Sequence, residues 1–477
     1  MRALLGRLKE GHWPVFLMSM LSALVNLFLP TILVRLLPVD QIGIYKIFFL
    51  YVQSMTFLSL AGAPLYSVYY WVGKKENSKE YVDQAFKLTI ILGVLATIVG
   101  LIFVGPLSHA IALNSFQTVL LLLSAITAAP AAMVGEYLVA KGHRIKGSIF
   151  NSGFELIKGA VIVAAVILKS NIDGAFWAYT ILFFIKFAWA IIWGNRLGIF
   201  GYHIDKKILM EVWRYARPMS FAGVLGFFLE KIDMLILSSR LSTTEFAYYS
   251  MGCLMIPPLL LLEMSVQKVL IPELSRSFHK SDFHSMAVSY RKAQSDLAYL
   301  IIPSVFGLII FAEPIVEILF TRQYMASVPV LKIFALTYLS YIFPHDAVAR
   351  ASGETMWVLK IYTVISPLTI LTVGYVAGPY GAMGALIASS LFRFAPKIPG
   401  LLLAKRIINI PVRKLIAWRA LLFYTAVNIP LTVLCYVLKD QFNSVKGWFL
   451  TISPIYAVIY LSIVLSVKSV WDKKKEA

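Results

Sequence analysis

The chain has 477 residues, of which 59% are hydrophobic and only 14% charged, with a mean hydropathy of +0.77. Soluble proteins carry about 25% charged residues, so a water-solvated assembly of this length is excluded and lipid must solvate most of the surface. The net charge of +20, from 44 Lys+Arg against 24 Asp+Glu, would point to nucleic acid in a soluble protein; in a membrane chain it reports cationic loops held on the cytoplasmic side.

A spanning helix needs roughly 17–25 mostly apolar residues. In chain order the sequence offers about fourteen such runs. Six lie near 13–36, 42–68, 84–106, 116–140, 147–168 and 174–195. Six more lie near 214–238, 245–269, 294–320, 327–350, 356–377 and 380–404, and two follow near 416–437 and 447–467. Trp13, Trp71, Trp193, Trp213, Trp448 and Trp471 stand at run ends, where indole rings favour the membrane interface. The basic stretch Met1–Glu10 resembles the start of a signal peptide. The apolar run behind it has no small-residue cleavage site and reads as a retained first helix.

Most cations fall in alternate loops. They include Lys74, Lys75 and Lys79; Lys141, Arg144 and Lys146; Lys206, Lys207, Arg214 and Arg217; Arg276, Lys280, Arg291 and Lys292; and Lys405, Arg406, Arg413 and Lys414. The tail Lys473–Lys475 follows them. The positive-inside rule therefore predicts a multi-pass protein with both termini cytoplasmic.

The chain also contains its own half twice. Leu37-Pro-Val-Asp-Gln-Ile-Gly-Ile-Tyr45 corresponds to Leu241-Ser-Thr-Thr-Glu-Phe-Ala-Tyr-Tyr249, Ala140-Lys-Gly142 to Ala351-Ser-Gly353, and Asp173-Gly-Ala175 to Tyr380-Gly-Ala382, each displaced by a little over 200 residues. Six helices per half, both starting inside, make the repeat parallel. Parallel repeats build transporters with a central cavity between two lobes. The expected fold is therefore all-α and polytopic: a lobe over 1–200, a second over 201–405, and two extra helices with a basic tail over 406–477.

The loops are too short for a nucleotide-binding or glycosyltransferase domain, and a membrane polymerase would need a larger outer loop. The sequence has no GxxxxGK[ST], HExxH or GxSxG. Cys253 and Cys435 lie in apolar runs and suggest neither a disulfide framework nor thiol chemistry. The seven histidines are scattered and argue against a metal site. No cofactor is expected, and no nucleic-acid partner; the reading is a transporter and not an enzyme.

Ionisable residues at membrane depth cost roughly 2.5–3.5 kcal/mol on insertion scales, and so mark cavities or partners. Lys186 and Arg393 fall mid-span at equivalent repeat positions. They are expected to line the cavity as cations suited to a phosphate or pyrophosphate, or else to snorkel or pair. Lys158 either pairs with Glu155 three residues earlier or adds to an anion site. Lys397, one turn beyond Arg393, either extends a basic path or anchors at the interface. Glu230, Lys231 and Asp233 cluster in the seventh run, with Asp233 a coupling or gating candidate beside Glu230 and Glu155. Glu313 and Glu317 read as interface carboxylates, His345-Asp346 as an interface pair that could titrate near neutral pH. Pro30 is a hinge candidate.

Asn26-Leu-Phe-Leu-Pro-Thr-Ile-Leu-Val-Arg-Leu-Leu-Pro-Val-Asp-Gln-Ile-Gly-Ile-Tyr45 resembles the opening of the polysaccharide-export (Wzx-type) flippases. Tyr215-Ala-Arg-Pro-Met219, Glu230-Lys-Ile-Asp233 and Tyr248-Tyr-Ser250 resemble the start of their second half, and Tyr380-Gly-Ala-Met-Gly-Ala385 a turn late in their core. That family belongs to the multidrug/oligosaccharidyl-lipid/polysaccharide exporter superfamily. The resemblance implies alternating-access movement of an undecaprenyl-pyrophosphate-linked oligosaccharide between leaflets of a bacterial or archaeal membrane. It also implies coupling to a proton or sodium gradient or to the membrane potential. Other polysaccharide-assembly proteins are implied as possible partners beside membrane lipid. A peptidoglycan-precursor flippase, an ion-coupled multidrug exporter and a membrane-embedded glycan polymerase are the alternatives.

Overall fold

The computed structural model describes residues 13–59, 62–74, 77–442 and 444–476. Met1–Glu10, Lys75 and the side chains of Trp13, Lys74, Trp471 and Lys473–Lys475 lie outside what it describes. Among the described residues every regular element is helical. Ten helices are long and apolar enough to cross a membrane, eleven if one bent pair counts as a single span, compatible with the fourteen runs in the sequence. The chain is a multi-pass membrane protein. Residues such as Ile102, Leu168 and Leu371 are exposed, because in lipid an outward apolar side chain costs nothing while unpaired backbone does.

The helices form two compact units, the first comprising Met1–Ser250 with Ser366–Ala377 and the second the rest. The first contains α1 (Trp13–Leu33), α2 (Val39–Leu58), α3 (Gly62–Lys74), α4 (Ser78–Ile102), α5 (Val104–Ala110), α6 (Ser115–Ala140) and α7 (Arg144–Ser148). After a π-helical turn (Ile149–Gly153) come α8 (Phe154–Lys169), α9 (Ile172–Arg196), α10 (Lys206–Ser238) and α11 (Thr243–Gly252). Helix α6 is its most enclosed span. Its start is fixed by a reciprocal cap: Asn114 Oδ1 accepts from Gln117 N at 2.7 Å, and Gln117 Oε1 accepts from Asn114 N at 3.2 Å. Its buried polar groups find partners across the helix pair α6–α9, with Ser124 and Thr180 hydroxyls 2.8 Å apart.

The second unit holds α12 (Pro257–His279), α13 (Phe283–Ile310), α14 (Ala312–Phe320), α15 (Val328–Leu336), α16 (Ala347–Ala351) and the first half of α17 (Thr355–Val376). It continues with α18 (Gly381–Phe392), α19 (Lys397–Ile408), α20 (Val412–Leu415), α21 (Trp418–Val437) and α22 (Val445–Glu476). Several runs that read as single spans are broken. The run near 245–269 bends by 49° between α11 and α12, before Pro257-Pro258. In that gap the Tyr338 hydroxyl donates to Leu254 O at 2.7 Å and accepts from Ile256 N at 2.8 Å, so one side chain satisfies both freed backbone groups. The 42–68 run carries two helices, α2 and α3. The 294–320 run splits at Phe311, the 327–350 run at Pro344, and the 380–404 run between Phe392 and Lys397.

Helices α21 and α22 attach to α13 through a buried cluster that includes Phe311, Trp448, Ile452, Tyr456 and Tyr460. Pro303 inside α13 has no N–H, which leaves the carbonyl of Tyr299 without its helical donor. The Tyr460 hydroxyl supplies one at 2.6 Å. Tyr460→Phe is expected to strand that carbonyl and cost about 1–3 kcal/mol, read as a lower thermal midpoint of the purified protein. An unchanged midpoint would show that lipid-side rearrangement re-satisfies the carbonyl.

Candidate functional site

The first unit concentrates polar groups where α1, α3, α6, α8 and α9 carry apolar residues around them. The π-helical turn is the local cause. A π turn inserts one residue into the helical ladder and re-aims the side chains around it; such turns recur at functional sites. Here the Asn151 side chain fills the space over Gly135, where an added Cβ would sit 2.5 Å from it. Asn151 Nδ2 donates to Ala132 O at 3.3 Å and to Glu136 Oε1 at 2.9 Å, while the Tyr69 hydroxyl donates to Glu136 Oε2 at 2.5 Å. Both Glu136 oxygens are thereby bonded.

The same turn places Phe150 and Phe154 over Lys186 of α9. The Lys186 ammonium lies 5.7 Å from the Phe150 centroid, 4.6 Å from Phe154 and 5.9 Å from Phe183, and the residue is 5% exposed. Among the described residues no carboxylate lies within ion-pair distance of it. Three ring faces stabilise the cation by about 0.5–2 kcal/mol each. Phe183 in turn packs on Tyr179, and Tyr179 on Phe49, at 4.5 and 4.7 Å.

Lys158 is ion-paired with Glu155 on the same helix face. Asn26 of α1 closes the group: its Nδ2 donates to Glu155 Oε2 at 3.2 Å, and its Oδ1 accepts from Lys158 Nζ at 3.1 Å. Glu136, Glu155 and Lys158 all lie within electrostatic reach of Lys186. The structure thus brings Lys186, Lys158 and Glu155 into one region, with Pro30 buried one turn along α1 from Asn26.

Asp233 and Glu230 separate. Asp233 is 1% exposed and accepts the Tyr249 hydroxyl on Oδ2 at 2.6 Å, while its buried Oδ1 has no partner among the described residues. Glu230 is exposed. In the second unit Arg393 is the residue that ends α18, its guanidinium 5.1 Å from the Phe334 centroid. Lys397 opens α19 and its ammonium lies 3.0 Å from His345 Nδ1. Glu313 pairs with Lys439 at 2.7 Å, and Glu317 with Arg322 at 2.8 Å. The described residues include no cluster of metal-ligating side chains.

Sequence reasoning passed over Glu136, Asn151, Tyr69, Asn26 and Tyr249. Glu136 did carry a signal, as the only charged residue in the apolar run Ser115–Ala140. The others are ordinary polar residues whose partners lie on other helices, from 15 to 132 residues away.

A family described as polysaccharide biosynthesis protein matches residues 32–329, more than half of the chain. The chain belongs to this family. Its fold is similar to that of the lipid II flippase MurJ in an inward closed conformation, at 16% identity over 97% of this chain and 99% of that one, with a TM-score of 0.73. It is also similar to an inward-facing multidrug resistance MATE family transporter of the MOP superfamily, at 14% identity, 81% and 94% coverage and a TM-score of 0.64. A third likeness is to a MOP superfamily transporter from Pyrococcus furiosus described by the reverse polarity of its binding pocket. There the identity is 16%, the coverage 83% and 94%, and the TM-score 0.56. No curated protein matches the sequence. This member of the polysaccharide biosynthesis family therefore has the fold of MOP superfamily flippases and exporters.

Proposed function

We propose that this chain is a flippase that carries an undecaprenyl-pyrophosphate-linked oligosaccharide from the inner to the outer leaflet of the plasma (inner) membrane by alternating access, for surface polysaccharide biosynthesis. It is a transporter and not an enzyme. The observation that carries the reading is Lys186: a cation in the apolar part of a span, enclosed by three rings and, among the described residues, without an ion-paired carboxylate. Family membership supports the glycan, and the MOP superfamily fold supports transport. In this reading Lys186 and Arg393 contact the pyrophosphate, and Lys158 and Lys397 extend the cationic path. Asp233 carries the coupling ion of a proton or sodium gradient, or responds to the membrane potential. Glu230, Glu155 and Pro30 belong to the gating machinery. The loop cations support cytoplasmic termini.

A second reading, a peptidoglycan-precursor flippase, is favoured by one observation: the likeness to the lipid II flippase extends over 97% of the chain.

The test is the sidedness of the lipid-linked glycan in host cells depleted of this protein, read by enzymatic trimming from outside. The expected result is accumulation on the inner leaflet, with Lys186→Met failing to restore export at normal protein level. Growth arrest with lysis, and normal surface polysaccharide, would select the second reading. Unchanged sidedness with raised drug sensitivity would replace both by a multidrug exporter.

A further inference from the structure

Two broken spans meet in the second unit. The 3-10 turn Thr337–Ile342 ends at Phe343, whose backbone is extended, and Pro344 prevents the helix from continuing until α16 begins at Ala347. The second break lies between α18 and α19, across Arg393–Pro396. Discontinuous helices in membrane transporters place charged groups and free backbone at ion and substrate sites. Here α19 lies directly against the first break. A Cβ on Gly400 would fall 2.5 Å from His345 Cβ and 2.7 Å from its carbonyl oxygen.

The contact between the two breaks is His345. Its Nδ1 is 3.0 Å from Lys397 Nζ on α19, and its Nε2 is 3.4 Å from the Tyr362 hydroxyl on α17. An ammonium only donates, so Nδ1 accepts and the imidazole is neutral, its proton on Nε2 facing Tyr362. Asp346 is buried and paired with Arg350 at 2.6 Å, which balances that charge locally. Tyr290 of α13 is buried within electrostatic reach of Asp346. The His345–Lys397 pair therefore holds one positive charge. A second proton, taken from water onto Nδ1, makes the ring a cation 3.0 Å from another and removes the lone pair that Lys397 binds. Like charges at this distance in a low-dielectric interior repel strongly.

We propose that His345 and Lys397 form a proton-binding site, at which proton uptake on His345 Nδ1 releases α19 from the 343–346 break. That this proton is spent on transport rests on the flippase reading; the binding and the release do not.

The test uses the purified full chain in lipid nanodiscs. Amide hydrogen exchange is followed for the segments 343–346 and 393–400 between about pH 8 and about pH 5, the range over which imidazoles change charge. Rates are corrected for the intrinsic effect of pH and referred to α13. The wild type is expected to open roughly tenfold more at the acid end. His345→Gln, whose amide oxygen still accepts from Lys397, is expected to stay protected at both ends. Lys397→Met removes the repelling charge and is expected to shrink the step whatever its absolute protection, which keeps the test decisive if His345→Gln folds poorly. A wild type with no step, or a step that survives in both variants, overturns the proposal. A step that is present while depletion leaves glycan sidedness unchanged keeps the proton site and removes the flippase reading.

Discussion

Lys186→Met is expected to lower export of the lipid-linked glycan at least tenfold while leaving the folded protein as stable as the wild type. The side chain sits among Phe150, Phe154 and Phe183, and methionine fills nearly the same stem volume. What is lost is the cation–ring attraction, about 0.5–2 kcal/mol per ring. What is regained is the cost of holding a charge away from water, several kcal/mol for a buried ion. Replacing a buried charge by a packed apolar side chain is often neutral or stabilising. A purely structural lysine would show the reverse pattern, with stability falling and export following protein level. Thermal midpoint and glycan sidedness, measured on one preparation and one strain, separate the two. Lys186→Glu is a sharper variant: it sets a third carboxylate near Glu136 and Glu155, and is expected to cost about 3–5 kcal/mol, with loss of folded protein.

Gly43→Ala is expected to be the most damaging single-methyl substitution in the first unit. Gly43 lies near the start of α2, against the backbone of Thr243 at the start of α11. A Cβ there would sit 1.8 Å from the Thr243 carbonyl oxygen and 2.6 Å from its carbon. Neither atom is the end of a flexible side chain, so two helices must separate by more than 1 Å. Overpacking of this kind costs about 3 kcal/mol at the upper end of the usual range. Gly226→Ala in α10 meets nothing within 4 Å and is expected to hold or raise stability, because alanine favours a helix by about 1 kcal/mol over glycine. Equal midpoints for the two variants would show that α2 and α11 part freely. The segments 37–45 and 241–249, which correspond in the sequence, thus touch through Gly43 and Thr243.

The membrane-spanning character was legible because lipid imposes it on composition. A stretch that crosses a bilayer must be apolar along its length, whatever it packs against. Charges at depth, such as Lys186 and Asp233, stood out for the same reason. Proline positions announced part of the breakage: Pro257-Pro258 sits at the bend between α11 and α12, and Pro344 at the end of the 3-10 turn. The sequence placed Arg393 and Lys397 on one helix, since an apolar run does not reveal where a helix stops when flanking helices re-satisfy its backbone. The structure sets them on two, with four residues of turn at the break, counted from Arg393 to Pro396.

By itself, then, the sequence determined that this chain lives in lipid, that it is helical, and which charges had to be accounted for. The tertiary structure decided which of them are answered and by whom. Lys158 is answered on its own helix by Glu155, with Asn26 arriving from 132 residues away. Glu136 is answered by Tyr69 and Asn151, Asp233 on one oxygen by Tyr249, and Lys186 by three rings with Glu136 and Glu155 within electrostatic reach. The reason is physical. Solvation by lipid acts residue by residue and leaves its mark on composition, whereas the partner of a polar group depends on the rotation and register of helices distant in the chain. One π-helical turn sets that rotation here, and no local pattern in Ile149–Gly153 announces it.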